Sequence, residues 1–85
     1  SGRYKEAVAD FTKAIELLPA SAPPLSGRGL AYLATGKAHA AIRDFSRAVT
    51  ADARFATAYR NRAEARLKVG QVAEAIEDLS RALAF

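Results

Sequence analysis

A period of 34 residues runs through the chain and constrains its fold more than any other feature: Gly2 sets over Gly36 and Gly70. In that register Ala7 coincides with Ala41 and Ala75, Val8 with Ile42 and Ile76, and Asp10 with Asp44 and Asp78. Phe11, Phe45 and Leu79 follow, then Lys13, Arg47 and Arg81, then Ala14, Ala48 and Ala82. Periods of this size mark solenoids, in which each unit buries its apolar face against its neighbours. The matched chemistry agrees. Small residues recur where backbones must approach, large apolar ones where a core must be filled, and glycine where a helix must stop.

Within each period the apolar residues follow helical spacing. Tyr4, Ala7, Val8, Phe11, Ala14, Ile15 and Leu18 recur at intervals of three and four, which predicts an amphipathic helix over 3–18. Pro19 ends it, because the residue before a proline is pushed out of the α region. Ser21-Ala22-Pro23-Pro24 is the next start signal, a hydroxyl cap with prolines in a first turn. Further helices are expected over 24–35, 38–51, 55–69 and 72–84, with turns at Gly36 and Gly70. Gly29, inside the second helix, fits a close approach by a neighbour, whereas Gly27 has no such account and costs roughly 1 kcal/mol relative to Ala. Every connection is short, so consecutive helices must run antiparallel.

Eighty-five residues suffice for a single small domain. The chain has no cysteine, hence no disulfide framework or thiolate metal site, and a cytoplasmic setting is favoured. No apolar run approaches the roughly 18 residues of a membrane span. The net charge of +4 is unevenly placed. Residues 54–68 hold Arg54, Arg60, Arg62, Arg66 and Lys68 against Glu64 alone, which makes the fourth helix the basic element. Chemistry-bearing motifs are scarce. His39 is the only histidine and has no acid or nucleophile near it in sequence. Glu74, Glu77 and Asp78 crowd the start of the last helix, where negative charge favours the dipole. No catalytic residue, metal site or cofactor is expected.

These residues resemble the tetratricopeptide repeat, a unit of two antiparallel helices, A and B. Its pattern is carried by Leu25, Arg28-Gly29, Tyr32, Ala41, Phe45 and Ala48, and again by Tyr59, Arg62-Ala63, Arg66, Ala75, Leu79 and Ala82. Ala7, Phe11, Ala14 and Pro19 supply a leading B helix. Arg28 and Arg62 stand where the family has Leu, Arg66 where it has Tyr, and Ala53 where it has Pro. The resemblance implies an all-α, right-handed solenoid of five helices forming one domain over 1–85. Residues 1–21 would be helix B of a truncated repeat, 22–55 a full repeat and 56–85 a nearly full one. Solenoid ends need polar caps, so a piece of a longer array, about two and a half repeats, is expected.

The function implied is that of a protein–protein interaction scaffold, binding a peptide segment or a sister subunit on the concave face of the A helices. The residues placed there are Leu30, Leu33, Thr57, Arg60, Asn61, Glu64 and Lys68, with Pro23, Ser26, Ala34 and Leu67 beside them. Chaperone-binding relatives carry a carboxylate clamp of Lys, Asn, Asn, Lys and Arg, and only Asn61 matches one of its positions. Arg60, Glu64 and Lys68 are spaced for an ion-pair ladder. The repeated Arg28 and Arg62 face the repeated Asp10, Asp44 and Asp78, which predicts a structural pair in each repeat: Arg28 with Asp10 or Asp44, and Arg62 with Asp44 or Asp78. Ile76, Leu79, Leu83 and Phe85 lack a covering helix, so association of copies through the terminal helices is expected. The alternative function is binding of an acidic polymer such as nucleic acid through the basic fourth helix. It is disfavoured because the aromatics fit core positions instead of an exposed stacking platform.

Overall fold

The computed structural model describes residues 2–85, and among them it contains five α-helices and no strand. They are α1 (Gly2–Leu17), α2 (Ala22–Ala34), α3 (Ala38–Ala51), α4 (Ala56–Lys68) and α5 (Val72–Ala84). The 24–35 expectation is corrected at its start. Ser21 is the extended N-cap of α2, so both prolines lie in the first helical turn. There their missing N–H groups would have had no intrahelical partner in any case.

Gly36 and Gly70 adopt φ of +80° and +84°, a left-handed conformation open to a residue without Cβ. Each closes the same cap. Lys37 N–H donates to Tyr32 O at 2.9 Å and Gly36 N–H to Leu33 O at 3.2 Å; Gln71 N–H donates to Arg66 O at 2.8 Å and Gly70 N–H to Leu67 O at 3.2 Å. This six-to-one and five-to-two pairing satisfies carbonyls that a helix end leaves orphaned. The α3–α4 turn, where Ala53 replaces the family's proline, is held by side chains. Asp52 Oδ1 accepts from Arg54 N–H at 3.1 Å, and Tyr59 Oη donates to Ala53 O at 3.1 Å.

Each helix packs on the next, and α2 also touches α4. The result is a slab whose Cα atoms span 32 × 25 × 14 Å. Fourteen ångströms is the depth of two helix layers about 8–10 Å apart, with α2 and α4 in one layer and α1, α3 and α5 in the other. One apolar cluster joins Ile15, Ala22, Leu25, Ala48 and Ala58; a second joins Leu33, Ala41, Phe45 and Ala65. Both glycines of α2 serve these contacts. A Cβ on Gly29 would lie 2.6 Å from the Phe45 ring, and one on Gly27 would lie 2.5 Å from the ring of Phe11. Gly27, unaccounted for by the sequence, is thus the seat of an aromatic ring from the preceding helix.

Candidate functional site

The layer formed by α2 and α4 presents one face away from the B helices, and the residues placed there by sequence divide into two groups. Leu30, Thr57, Arg60, Glu64 and Lys68 are exposed. Leu33 is not: it is 8% exposed against 44% for Leu30, and it belongs to the cluster with Phe45 and Ala65. This corrects its assignment as a binding residue. Leu25, Gly29 and Leu33 recur every four residues and form the stripe that α2 turns inward. Asn61 is also largely buried, yet its amide makes no hydrogen bond among the described residues and both polar atoms retain some solvent access.

Two hollows open beside this set. One, about 420 Å³, lies between α1 and α2 and is lined by Tyr4, Phe11, Gly27 and Leu30. The other, about 310 Å³, lies between α4 and α5 and is lined by Thr57, Arg60, Leu79 and Leu83. The first is apolar and the second carries a guanidinium at its edge. A larger groove, about 520 Å³, is elsewhere: the α1–α2 turn and the outer side of α3 form it, with Pro19, Arg43, Ser46 and Arg47 in its walls.

The repeated arginines and aspartates are interior. Arg28 donates through Nε and Nη2 to the two carboxylate oxygens of Asp44 at 2.7 and 2.8 Å. Arg62 does the same to Asp78 at 2.9 and 2.7 Å. Each partner lies in the same helical hairpin, sixteen residues onward. Each guanidinium also reaches back. Arg28 Nη1 donates to Thr12 Oγ1 at 3.2 Å, and Arg62 Nη1 donates to Ser46 Oγ at 3.1 Å. One arginine therefore ties three successive helices. Its bidentate geometry on a planar carboxylate is the strong form of a charge-assisted bond. Hydrogen bonding to Asp44 holds the Arg28 guanidinium above its ordinary pKa; burial opposes this, and attraction to Asp44 and Tyr32 adds to it.

Asp10 is the exception. It is exposed and has no ion pair among the described residues, which corrects its grouping with Asp44 and Asp78.

Arg66, a departure from the family pattern by sequence, joins the second pair: its Nη1 donates to Asp78 Oδ2 at 2.8 Å. A signal was available, since Asp78 follows Arg66 by twelve residues, within one hairpin. Two of the four basic residues of α4, Arg62 and Arg66, are therefore spent inside the molecule. Arg54 lies over the Phe85 ring at 5.6 Å, and Tyr59 is buried. What stays exposed is a short Arg60–Glu64–Lys68 face with no ion pair of its own among the described residues. An acidic polymer would find no continuous positive track on α4, and the one ring that α4 carries, Tyr59, is buried.

The tetratricopeptide repeat profile matches residues 1–20 and 25–55. Comparison with curated proteins returns no match. Among solved structures, the second tetratricopeptide domain of Spaghetti (RPAP3), bound to the HSP90 peptide SRMEEVD, superposes with a TM-score of 0.95 at 30% identity, covering 98% of this chain and 77% of that one. The tetratricopeptide domain of Arabidopsis OM64 gives 0.94 at 30% identity, over 98% and 69%. The TPR2B domain of yeast Sti1, in complex with an Hsp70 peptide, gives 0.92 at 31% identity, over 95% and 65%.

Proposed function

The chain belongs to the tetratricopeptide repeat family, and from that premise we propose that it is a protein-interaction module whose α2–α4 face docks an extended peptide. The observation that carries this is its likeness, over 98% of its length, to a domain solved with a peptide bound. Leu30 and the apolar hollow beside it would take an apolar side chain. Arg60 and Lys68 would face an acidic one, and the amide of Asn61 would hold the peptide backbone. Thr57 and Glu64 complete the lining.

The ligand differs from a chaperone tail. Ser26 and Leu30 stand where the family's clamp has Lys and Asn, so a terminal carboxylate lacks its donors. The proposed docking function needs no catalytic step, and His39 is exposed at the start of α3. No helix among the described residues is long and apolar enough to cross a membrane, and a cytoplasmic setting suits a chain without cysteine.

The test is a peptide array followed by NMR titration of the best ligand. Shifts should map to Leu30, Thr57, Arg60 and Lys68, and changing Arg60 and Asn61 to Ala should weaken binding about tenfold or more. The peptide SRMEEVD should bind weakly or not at all. Shifts confined to the Arg43–Arg47 groove would move the site to the other side of the molecule. A second reading, contact between copies through α1 and α5, is favoured by the exposure of Ile76, Leu79, Leu83 and Phe85. Sedimentation at rising concentration decides it, and a strict monomer removes it.

A further inference from the structure

The 34-residue register sets the groove of about 520 Å³ on the outer side of α3 against a counterpart in the next hairpin. Ala20 and Ala51, both exposed in its walls, match Arg54 and Phe85. In the second hairpin those two side chains fill the space. The Phe85 ring packs on Tyr59 with centroids 5.6 Å apart, and the Arg54 guanidinium lies 5.6 Å over the Phe85 ring. Two methyl groups in the first hairpin leave the matching place open. The charge changes with the packing. Glu77 and Arg81 stand in the second hairpin where Arg43 and Arg47 stand in the first, so an acid and a base give way to two bases. Arg43 and Arg47 lie one turn apart on α3, are exposed, and have no ion pair among the described residues. On the same wall, Ser46 Oγ accepts from Arg62 Nη1 at 3.1 Å, which leaves its own proton for an acceptor in the groove.

We propose that this groove is a second docking surface, separate from the α2–α4 face, for a partner peptide that carries an aromatic residue beside acidic ones. The aromatic ring takes the place that Phe85 holds in the next hairpin, over Ala20 and Ala51 and against Pro19. The acidic side chains pair with Arg43 and Arg47, whose planar guanidinium groups also suit the face of a ring. The two features select together. A wholly acidic segment leaves the alanine and proline wall in water, and a wholly apolar one covers two cations without pairing them. The walls belong to an internal turn and to the middle helix of the five, so the shape of the groove is set within the stack.

The probe is a labelled peptide with one phenylalanine between two aspartates in a glycine–serine background, titrated into the chain. NMR shifts should appear at Ala20, Ser46 and Ala51. Replacing the phenylalanine by alanine should weaken binding about tenfold, as expected for a buried aromatic side chain. Replacing both aspartates by asparagine should weaken it by at least as much. Arg43→Gln with Arg47→Gln, both at exposed positions, should remove the preference for aspartate over asparagine, since the changes on the two sides delete one interaction. Ala20→Arg with Ala51→Phe copies the second hairpin; it should keep the helical signal and abolish binding. Retained binding in that folded variant would overturn the proposal, as would no binding by the original chain. Equal affinity for the phenylalanine and alanine peptides would reduce the contact to general attraction by a chain of net charge +4 and overturn it as well. So would shifts at Leu30 and Thr57, which would place the peptide on the α2–α4 face. Displacement of the peptide from Ser46 by a tighter-binding single-stranded oligonucleotide would give the groove to nucleic acid instead.

Discussion

The α2–α3 and α4–α5 hairpins share one backbone and one arginine–aspartate pair, but they are held together differently. In the first, α2 buries Leu25, Ala31 and Leu33 with two close-packed glycine sites. In the second, α4 buries Tyr59 and three alanines together with Asn61 and Arg62. At matched positions Tyr32 accepts Arg28 and Lys37 over its ring, at 5.9 and 6.0 Å, where Arg66 instead adds a second guanidinium to Asp78. Gly29 with Phe45 becomes Ala63 with Leu79, so a methyl gained on one helix accompanies a smaller side chain on the other. Apolar packing dominates one hairpin and charge pairing the other. Positions with the same backbone role need not have the same source of stability.

The largest effect should come from the two aspartates. Asp78→Ala leaves two guanidinium groups without their acceptor and should cost about 3–5 kcal/mol, the range for breaking a buried pair. Asp44→Ala strands only Arg28, which is the more exposed of the two bidentate arginines, and should cost less. Urea unfolding of both variants decides this; equal losses would mean that Arg66 contributes nothing. Next, Gly29→Ala should destabilise by about 1–3 kcal/mol through overpacking on Phe45 and should recover when Phe45→Leu is added. Failure of that rescue would break the size relation between the hairpins. Arg66→Met should cost about 1–2 kcal/mol for one charge-assisted bond, read from the same unfolding curves. Asp10→Ala should stay within the roughly 0.5 kcal/mol scatter of surface changes. A larger loss there would show that Asp10 has a partner in solution.

Much of this architecture is legible in the sequence because backbone signals are local. Gly36, Gly70 and Pro19 each act on their own φ or on the residue before, and the amphipathic stripes need no knowledge of a neighbour. Side-chain partners are less legible for the opposite reason. A period of 34 residues makes Asp10, Asp44 and Asp78 equivalent on paper, and only the stacking order decides that the arginine pairs forward within its hairpin. Gly27 is explained by a ring sixteen residues earlier, on a different helix, which no spacing rule within α2 points to. Leu30 and Leu33 sit three residues apart on α2. The family's concave surface spans both, but the inward stripe through Leu25 and Gly29 claims only Leu33. Arg66 stood out as a departure from a pattern, which hid the acid it had gained.

The arginine relay also gives the stack a direction. Each guanidinium takes a carboxylate ahead of it in the chain and a hydroxyl behind it, so the two ends of the slab present unlike halves of one device: a carboxylate on α1 and a hydroxyl on α5. A contact with two-fold symmetry would set like against like, hydroxyl on hydroxyl or acid on acid, and would complete neither. A direct head-to-tail contact would set the hydroxyl against the carboxylate without a guanidinium to join them, because Arg28 and Arg62 are already held, so the relay continues only through a further helix that brings an arginine of its own. The handed, one-way growth of the structure is thus written in the order of three polar side chains rather than in the shape of its helices.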